Sequence, residues 1–371
     1  MKYVLTFTPL KHFFFGNEKT FREDYVAISE YFPQPVQVLG ALRLSIAQQY
    51  GIIKQYKNGR YPKHPKQMRE LTGSAKAPDF KTNGDLGKIS FISSMFITDS
   101  ECKSGYFPTP FDVKITQQNS HSSIMDDSGK IISVNYPQKL SLSYYKPKSL
   151  SHATYLDGYN PKEASPQMLA NANFWDAYLN QKDRVINGVL PYDVEKQSGL
   201  GVFVPHTQVG IALNHKQTID GKFYKKIDYT LARDFCFGCI LEFEGEIRDD
   251  IVQLGAESSL FRMRVQPLDS VELQNHPLIK AMFQPQNQGE KIVAIGDMIA
   301  QDSSCLNAKF ALIPYLKHMA MLRSIKGRFD GLHTTHTIIP AGSVIYTHQE
   351  SSISLYEGAY IKMGYNQFIR V

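Results

Sequence analysis

Residues 33 to 51 read PQPVQVLGALRLSIAQQYG, and the first half of the fold turns on this stretch. Pro35 suits the first turn of a helix, where a missing N–H costs nothing. Gly51 suits the position just past a helix end, where φ is positive. Between them Leu39, Leu42, Ile46 and Tyr50 recur at helical spacing and mark one apolar face. Arg43 lies about 40° from Leu39 around the helix, at the edge of that face, because each residue turns the helix by about 100°. A cation in the first half of a helix gains nothing from the helix dipole. Arg43 therefore calls for an anionic neighbour, or for a route to solvent along its own aliphatic stem.

Upstream, Tyr3, Leu5 and Phe7 alternate with Val4, Thr6 and Thr8, the period of a half-buried strand that Pro9 ends. The chain thus opens strand, loop, helix. Downstream, residues 54 to 88 are polar and loop-like. ISFISSMFI then reads as one strand, and GYFPTPFDVKI as an extended piece broken by two prolines. Residues 116 to 170, rich in Ser, Asn, Tyr, Lys and Pro, are expected to form loops and a hairpin, as an insertion. NFWDAYLN is a short helix.

A second strand-rich half starts near residue 191. GLGVFVPHTQVGIALN alternates after a glycine-rich start. CFGCILEFEGEI is the clearest strand, with Cys239, Leu241, Phe243 and Ile247 opposite Glu242, Glu244 and Glu246. SLFRMRV repeats the pattern, with Phe261, Met263 and Val265 opposite Arg262 and Arg264. NAKFALIPYL and GSVIYTH are further strands. The expected class is α+β with helices on one side of the sheets.

With 42% apolar and 20% charged residues the chain can bury a sizeable core. Its net charge of +6 favours an anionic partner only where the cations cluster. The four cysteines are too few for a disulfide framework. The N-terminus lacks the pattern of a signal peptide, and no run approaches a membrane span. The expectation is a soluble, cytoplasmic protein in a reducing compartment, with no membrane partner.

Three constellations carry charge. Lys54, Lys57, Arg60, Lys63, Lys66 and Arg69 recur every third residue, with Tyr56, Tyr61 and His64 among them. In a polyproline II segment they would share one edge and could neutralise phosphates; the alternative is a solvated loop. The turn Gly255-Ala256-Glu257-Ser258-Ser259 leads into Arg262 and Arg264, so its amides could form an anion-binding nest beside two arginines. Otherwise it is a hairpin turn with solvated arginines. Arg43 is the third.

Catalytic and metal signals are weak. Cys236-x-x-Cys239 has the spacing of half a zinc site but lies in a strand without a second pair, so core cysteines are expected. His333 and His336 lack the helix of a zinc protease. There is no phosphate-binding loop and no nucleophile elbow. No cofactor, metal or catalytic residue is expected.

Several stretches, in order, resemble the RAMP subunit of type III-B CRISPR complexes that holds the 5′ end of the guide RNA, the third subunit of the Cmr complex. They include FTPLKHFFFGNEKTF, YFPQPVQVLGALRLSIAQQYG, KISFISSMFI, NFWDAYLN, QVGIALNHKQTIDGKFYKKIDYTLA, VQLGAESSLFRMRV, IIPAGSVIYTH and KMGYNQFIRV. The resemblance implies two ferredoxin-like, RRM-related domains with large loop insertions, over residues 1–190 and 191–371. It implies a non-catalytic subunit that binds the repeat-derived 5′ handle of the crRNA. The partners it implies are a large polymerase-like subunit and a backbone RAMP subunit in a hetero-oligomeric ribonucleoprotein. The RNA-facing residues it suggests are Lys11, His12, Arg43, Lys54, Lys57, Arg60, Gly255, Ser258, Ser259, Arg262 and Arg264, with Lys362 and Asn366 of KMGYNQF. Backbone and shape contacts are expected in place of an aromatic stacking pair. The alternatives are a metal-independent RAMP endoribonuclease using His12 as general acid/base, or a scaffold without RNA contact.

Overall fold

The structure, a computed structural model, describes residues 1–16, 25–56, 59–62, 64–73, 84–117, 122–125, 131–134, 140–144, 147–150, 153–156, 168–180, 185–186, 189–194, 201–214, 217–232, 234–284, 289–299, 308–325, 328–347 and 359–371. The fold is mixed α and β, with mostly antiparallel sheets and few helices. No helix among the described residues is long and apolar enough to cross a membrane.

The opening stretch forms α1 (Pro35–Gln49), with Pro35 in its first turn. Gln37 Oε1 reaches back to accept the Gln34 N–H at 3.0 Å. At the other end Gly51 has φ +66°. Its N–H donates to Gln48 O, and the Ile52 N–H donates to Ala47 O, both at 2.9 Å. That pair of bonds satisfies two carbonyls the helix would otherwise leave open. Val38, Leu39, Leu42 and Ile46 are buried, each contributing about 1.5–3 kcal/mol relative to exposure. Tyr50, expected on the same face, is 44% exposed. It follows the last helical residue, so the cap sets its direction, and its hydroxyl bonds the backbone of Glu246.

A nine-stranded sheet forms the centre. Its strands are β1 (Lys2–Pro9), β2 (Ile89–Ile92), β3 (Phe96–Asp99), β4 (Gly105–Pro108), β5 (Met168–Ala170), β6 (Val189–Pro191), β7 (Phe235–Phe243), β8 (Asp250–Gln253) and β9 (Leu260–Pro267). The order is β6-β5-β4-β3-β7-β1-β9-β8, with β2 also on β7. β1 lies antiparallel to both β7 and β9. ISFISSMFI, expected as one strand, splits into β2 and β3 at Ser93 and Ser94. Ser93 Oγ accepts the Ile240 N–H, and the Ser94 N–H donates to Gln367, so these residues bond across the fold.

α1 covers one face of the sheet through Leu5, Phe7, Phe237, Cys239, Leu241 and Met263. The other face, at Val4, Phe96 and Ile240, packs against Phe174, Trp175 and Tyr178 of α3 (Ala172–Leu179) and Leu278 and Ile279 of α4 (Pro277–Phe283). Helices thus stand on both faces, which corrects the one-sided expectation. Both are too short for their period to reveal the face they bury.

The boundary placed between residues 190 and 191 does not part the fold, because β1 to β6 share the central sheet with β7 to β9. The C-terminal stretch adds a four-stranded and a three-stranded sheet. The expected loop after residue 54 holds instead a hairpin, Ile53–Tyr56 with Gly59–Pro62, and then α2 (Pro65–Thr72). The expected insertion is strand-built: Val113–Gln117, Leu140–Tyr144 and Val185–Ile186 pair in one sheet, beside two hairpins.

A long hairpin, Phe203–Asn214 with Gln217–Leu231, stands beside the central sheet and carries Tyr25–Ile28 as a parallel third strand.

Candidate nucleic-acid interface

The chain leaving β1 is held by its aromatic residues. Phe13 packs edge-on to Phe237 with centroids 5.3 Å apart, and Phe15 lies parallel to Phe261 at 6.0 Å. The Leu10 N–H donates to Leu260 O and the Phe13 N–H to Tyr229 O. With Phe13 and Phe15 inward, Lys11 and His12 are exposed at the end of the sheet.

Beside them lies the turn Gly255–Ser259. Gly255 has φ +92°, and a Cβ there would stand 2.7 Å from Phe14 O. Glu257 and Ser258 also have positive φ, at +53° and +57°. Ser259 is buried. Its Oγ accepts the Phe14 N–H at 3.2 Å and donates to Ala256 O at 2.7 Å. Ser259 therefore braces the segment carrying His12, and its hydroxyl is already committed. Ser258 is exposed, and the amides of Glu257 and Ser258 make no hydrogen bond among the described residues.

The turn feeds β9, where Arg262 and Arg264 are exposed opposite Thr8 and Thr6 of β1, on the face away from α1. Lys11, His12, Gly255, Ser258, Ser259 and Arg262 thus lie toward one end of the central sheet, with Arg264 two residues further along β9, opposite Thr6.

The other expected residues do not join them. Arg43 Nη2 donates to Asp85 O at 3.3 Å. Burial pulls the guanidinium pKa down, and the Asp85 carboxylate offsets this only in part. Asp85 is the anionic neighbour that Arg43 called for. Lys54 and Arg60 lie on the paired strands 53–56 and 59–62, while Lys66 and Arg69 are exposed on α2. Strand and helix periods differ, so the single extended row of cations does not form; Lys57 and Lys63 lie outside the described residues. Lys362 is exposed at the end of α5 (Ala359–Lys362). Asn366 is 2% exposed, and its Oδ1 accepts the Ile299 N–H at 2.6 Å. It is a buried turn residue with no open edge for a base.

Sequence reasoning missed the hairpin face that completes this end. In the register of the two strands His206, Gln208, Lys226, Asp228 and Thr230 share one side. His12 and His206 stack with centroids 3.9 Å apart and planes 14° apart. His12 Nδ1 stands 3.3 Å from Asp228 Oδ1. Asp228 Oδ2 takes Gln208 Nε2 at 3.0 Å and Lys226 Nζ at 3.2 Å. Lys226 also pairs with Glu257 of the turn. Burial lowers the Lys226 pKa, but its bonds to Glu257 and Asp228 outweigh that and leave it raised. His206 is pulled down by burial and by His12. Pairing HTQ with KKIDYT across the hairpin was the signal that would have found this cluster.

Cys236 and Cys239 are both buried, three positions apart on β7, so they face opposite sides of the sheet and cannot hold one ion. Burial pushes both thiols up. His336 is buried against the Tyr360 hydroxyl, and the His333 side chain lies outside the described residues. No cluster of metal-ligating residues occurs among those described.

The family described as CRISPR-associated protein (Cas_Cmr3) matches residues 5–368. No curated protein matches the chain. Among solved structures, a chain of the Type III-B Cmr-beta complex bound to cognate target RNA is 11% identical with a TM-score of 0.47, covering 100% of this chain and 96% of that one. A chain of Cmr-beta bound to cognate target RNA and AMPPnP is 12% identical with a TM-score of 0.44, covering 93% and 86%. A chain of the Csm3–Csm4 subcomplex of the type III-A interference complex is 12% identical with a TM-score of 0.40, covering 100% and 99%.

Proposed function

The chain belongs to the Cas_Cmr3 family of CRISPR-associated proteins, and from that premise we propose that it is a non-catalytic RNA-binding subunit of a type III-B effector ribonucleoprotein. It holds the repeat-derived 5′ handle of the crRNA, and docks the large polymerase-like subunit and the first backbone subunit. The single observation that carries the reading is the placement of Lys11, Arg262 and the open amides of Glu257 and Ser258 toward one end of the sheet, with Arg264 exposed on the same face of β9. Exposed cations and free N–H groups neutralise and orient phosphates, and they fix register without reading sequence.

A ferredoxin-like core is supported by the order β9-β1-β7-β2. β1 and β2 are both antiparallel to β7, hence parallel to each other, with α1 in the crossover between them. The stretch between β7 and β9 forms β8 where a second helix would complete the motif. The cytoplasm as compartment fits the free thiols of Cys102, Cys236 and Cys239.

The test is salt-dependent binding of handle RNA. Arg262→Ala with Arg264→Ala is expected to lower guide affinity at every salt concentration while the fold stays intact. The log–log salt slope should fall by about 0.7 for each phosphate of a single strand that the variant no longer neutralises. An unchanged slope would remove the two arginines from the interface.

A further inference from the structure

Beside the central sheet, where the C-terminal stretch packs on it, the fold leaves a cavity of about 70 Å3. That is several times the space one water needs, about 10–15 Å3. Its walls are rigid, built from Tyr31, Tyr192 and Tyr315 and from four prolines. Three charged side chains line it. Lys317 Nζ stands 3.3 Å from Glu30 Oε2 and 3.7 Å from Asp297 Oδ2, and the side chains of Lys317, Glu30 and Asp297 are 19%, 19% and 16% exposed. Water screens little at that depth, so two carboxylates against one ammonium leave the lining with an excess of negative charge. The chain as a whole carries +6. Ser94 lines the same cavity. It is 5% exposed, and its Oγ has no hydrogen-bond partner among the described residues. A clasp between two parts of the chain needs one carboxylate and strands no hydroxyl, which costs stability. Tyr315 is 41% exposed and Leu316 after it 53%, so the cavity opens beside an apolar rim.

We propose that this cavity is the docking site for an arginine side chain of a protein partner, its guanidinium seated among the tyrosine rings and bonded to Glu30, Asp297 and Ser94 Oγ. The inference rests on the reading of the chain as a subunit that docks other proteins, and it names one contact of that docking. The acceptors come from different elements. Glu30 follows the strand Tyr25–Ile28, Ser94 separates β2 from β3, and Asp297 lies between the strands Lys291–Ala294 and Met298–Ile299. A guanidinium presents five donors in a planar fork, and so meets acceptors spread around it better than an ammonium does. The Ala341 N–H donates to Asp297 Oδ1 at 3.1 Å and holds that carboxylate in place. Aromatic faces attract the cation, and arginine and tyrosine are the residues on which interface energy concentrates.

The same charge disfavours RNA here. RNA brings a phosphate with every nucleotide, and an excess of carboxylate repels it. Lys11, Arg262 and Arg264 lie outside the lining.

The experiment uses the full chain, isotope-labelled at the methionine methyls, because Met95 lines the cavity. The probe is N-acetyl-argininamide, with N-acetyl-lysinamide as the comparison. The Met95 methyl resonance is expected to shift and saturate with a Kd of a few millimolar, and the lysine compound to bind at least about threefold more weakly. Asp297→Asn keeps an acceptor for the Ala341 N–H and removes the charge, and should weaken the probe about tenfold. Ser94→Ala should weaken it about threefold while leaving Tm unchanged or raised, since the hydroxyl it removes has no partner to lose. If Asp297→Asn fails to fold, Ser94→Ala carries the test. Shifts that do not saturate, equal binding of the two compounds, or unchanged binding in both variants overturns the inference and leaves the three charges a clasp. A Met95 shift on adding handle RNA, reversed by the arginine probe, overturns it in favour of a nucleobase. Each of these results leaves the RNA-binding reading standing, which the salt slope tests separately. A chain that neither takes the probe nor assembles with other Cmr proteins in a reconstituted complex loses the docking reading as well.

Discussion

At the scale of single residues, the fold decides which polar side chains stay silent. His276 is 3% exposed, and its Nδ1 accepts the Leu278 N–H at 3.2 Å at the start of α4. Burial pushes its pKa down to about 3, and the acceptor role of Nδ1 also requires a neutral ring. The unfolded chain protonates near the ordinary value of about 6.5 while the folded chain resists. The folded-state pKa is lowered, so the contribution to stability is complete above the unfolded value and is lost as pH falls below it. From pH 7.5 to 5.0 this single residue should cost about 2 kcal/mol. His276→Asn keeps an acceptor for the helix start but cannot titrate. Thermal melts of the two proteins at both pH values should show a smaller acid-induced drop in Tm for the variant, even if it melts lower at neutral pH. An equal drop would assign the acid sensitivity elsewhere. Arg43 makes the complementary point, since its frustration on the helix edge is legible in the sequence but its partner, Asp85, is not. Nothing local joins residues that far apart in the chain.

At the scale of elements, what is legible in the sequence are units whose signal is local. α1 shows its proline start and glycine stop, and β7 and β9 show strict alternation. The turn at 255–259 is also visible, but its role is not. Its pattern suggests a set of ligand-binding groups, whereas Ser259 and Gly255 serve the packing of the segment after β1. The His12 cluster stays hidden for a different reason. It depends on strand register in the hairpin, and a register offset of one residue would have sent His206 and Asp228 to the other face. Two substitutions separate brace from interface. Ser259→Ala strands the half-buried Phe14 N–H and should cost about 1 kcal/mol. Gly255→Ala must hold an L-residue at φ +92° against Phe14 O, and should cost at least as much. Both should lower the denaturation midpoint while leaving the salt slope of RNA binding near wild type, because neither removes a cation. A variant that keeps its stability and loses slope would return Ser259 to the interface.

At the scale of the molecule, chain order and spatial order disagree, and this governs how the protein can be divided. β1 comes first in sequence and lies between β7 and β9, which come more than two hundred residues later. Lys317 of the C-terminal sheets stands 3.3 Å from Glu30 and 3.7 Å from Asp297, so it ties an early segment to a late one. Burial lowers the Lys317 pKa, but Asp297 and Glu30 outweigh that and hold it raised. Sequence composition suggests two successive halves because strand-rich stretches cluster on either side of residue 190; composition carries no information about which strands pair. A chain cut between residues 190 and 191 leaves β1 without either neighbour, and leaves β7 and β9 with open edges where β1 belongs. Such edges bind one another or aggregate. Neither fragment is therefore expected to give a cooperative melt or dispersed amide resonances when expressed alone, while co-expression should recover a soluble complex that melts as one unit. A fragment spanning 191–371 that folds cooperatively on its own would contradict the shared sheet. The shared sheet is also what sets Lys11 and His12 of the first segment beside Arg262 and Arg264 of the later one. The same pair of fragments should therefore bind handle RNA only when mixed.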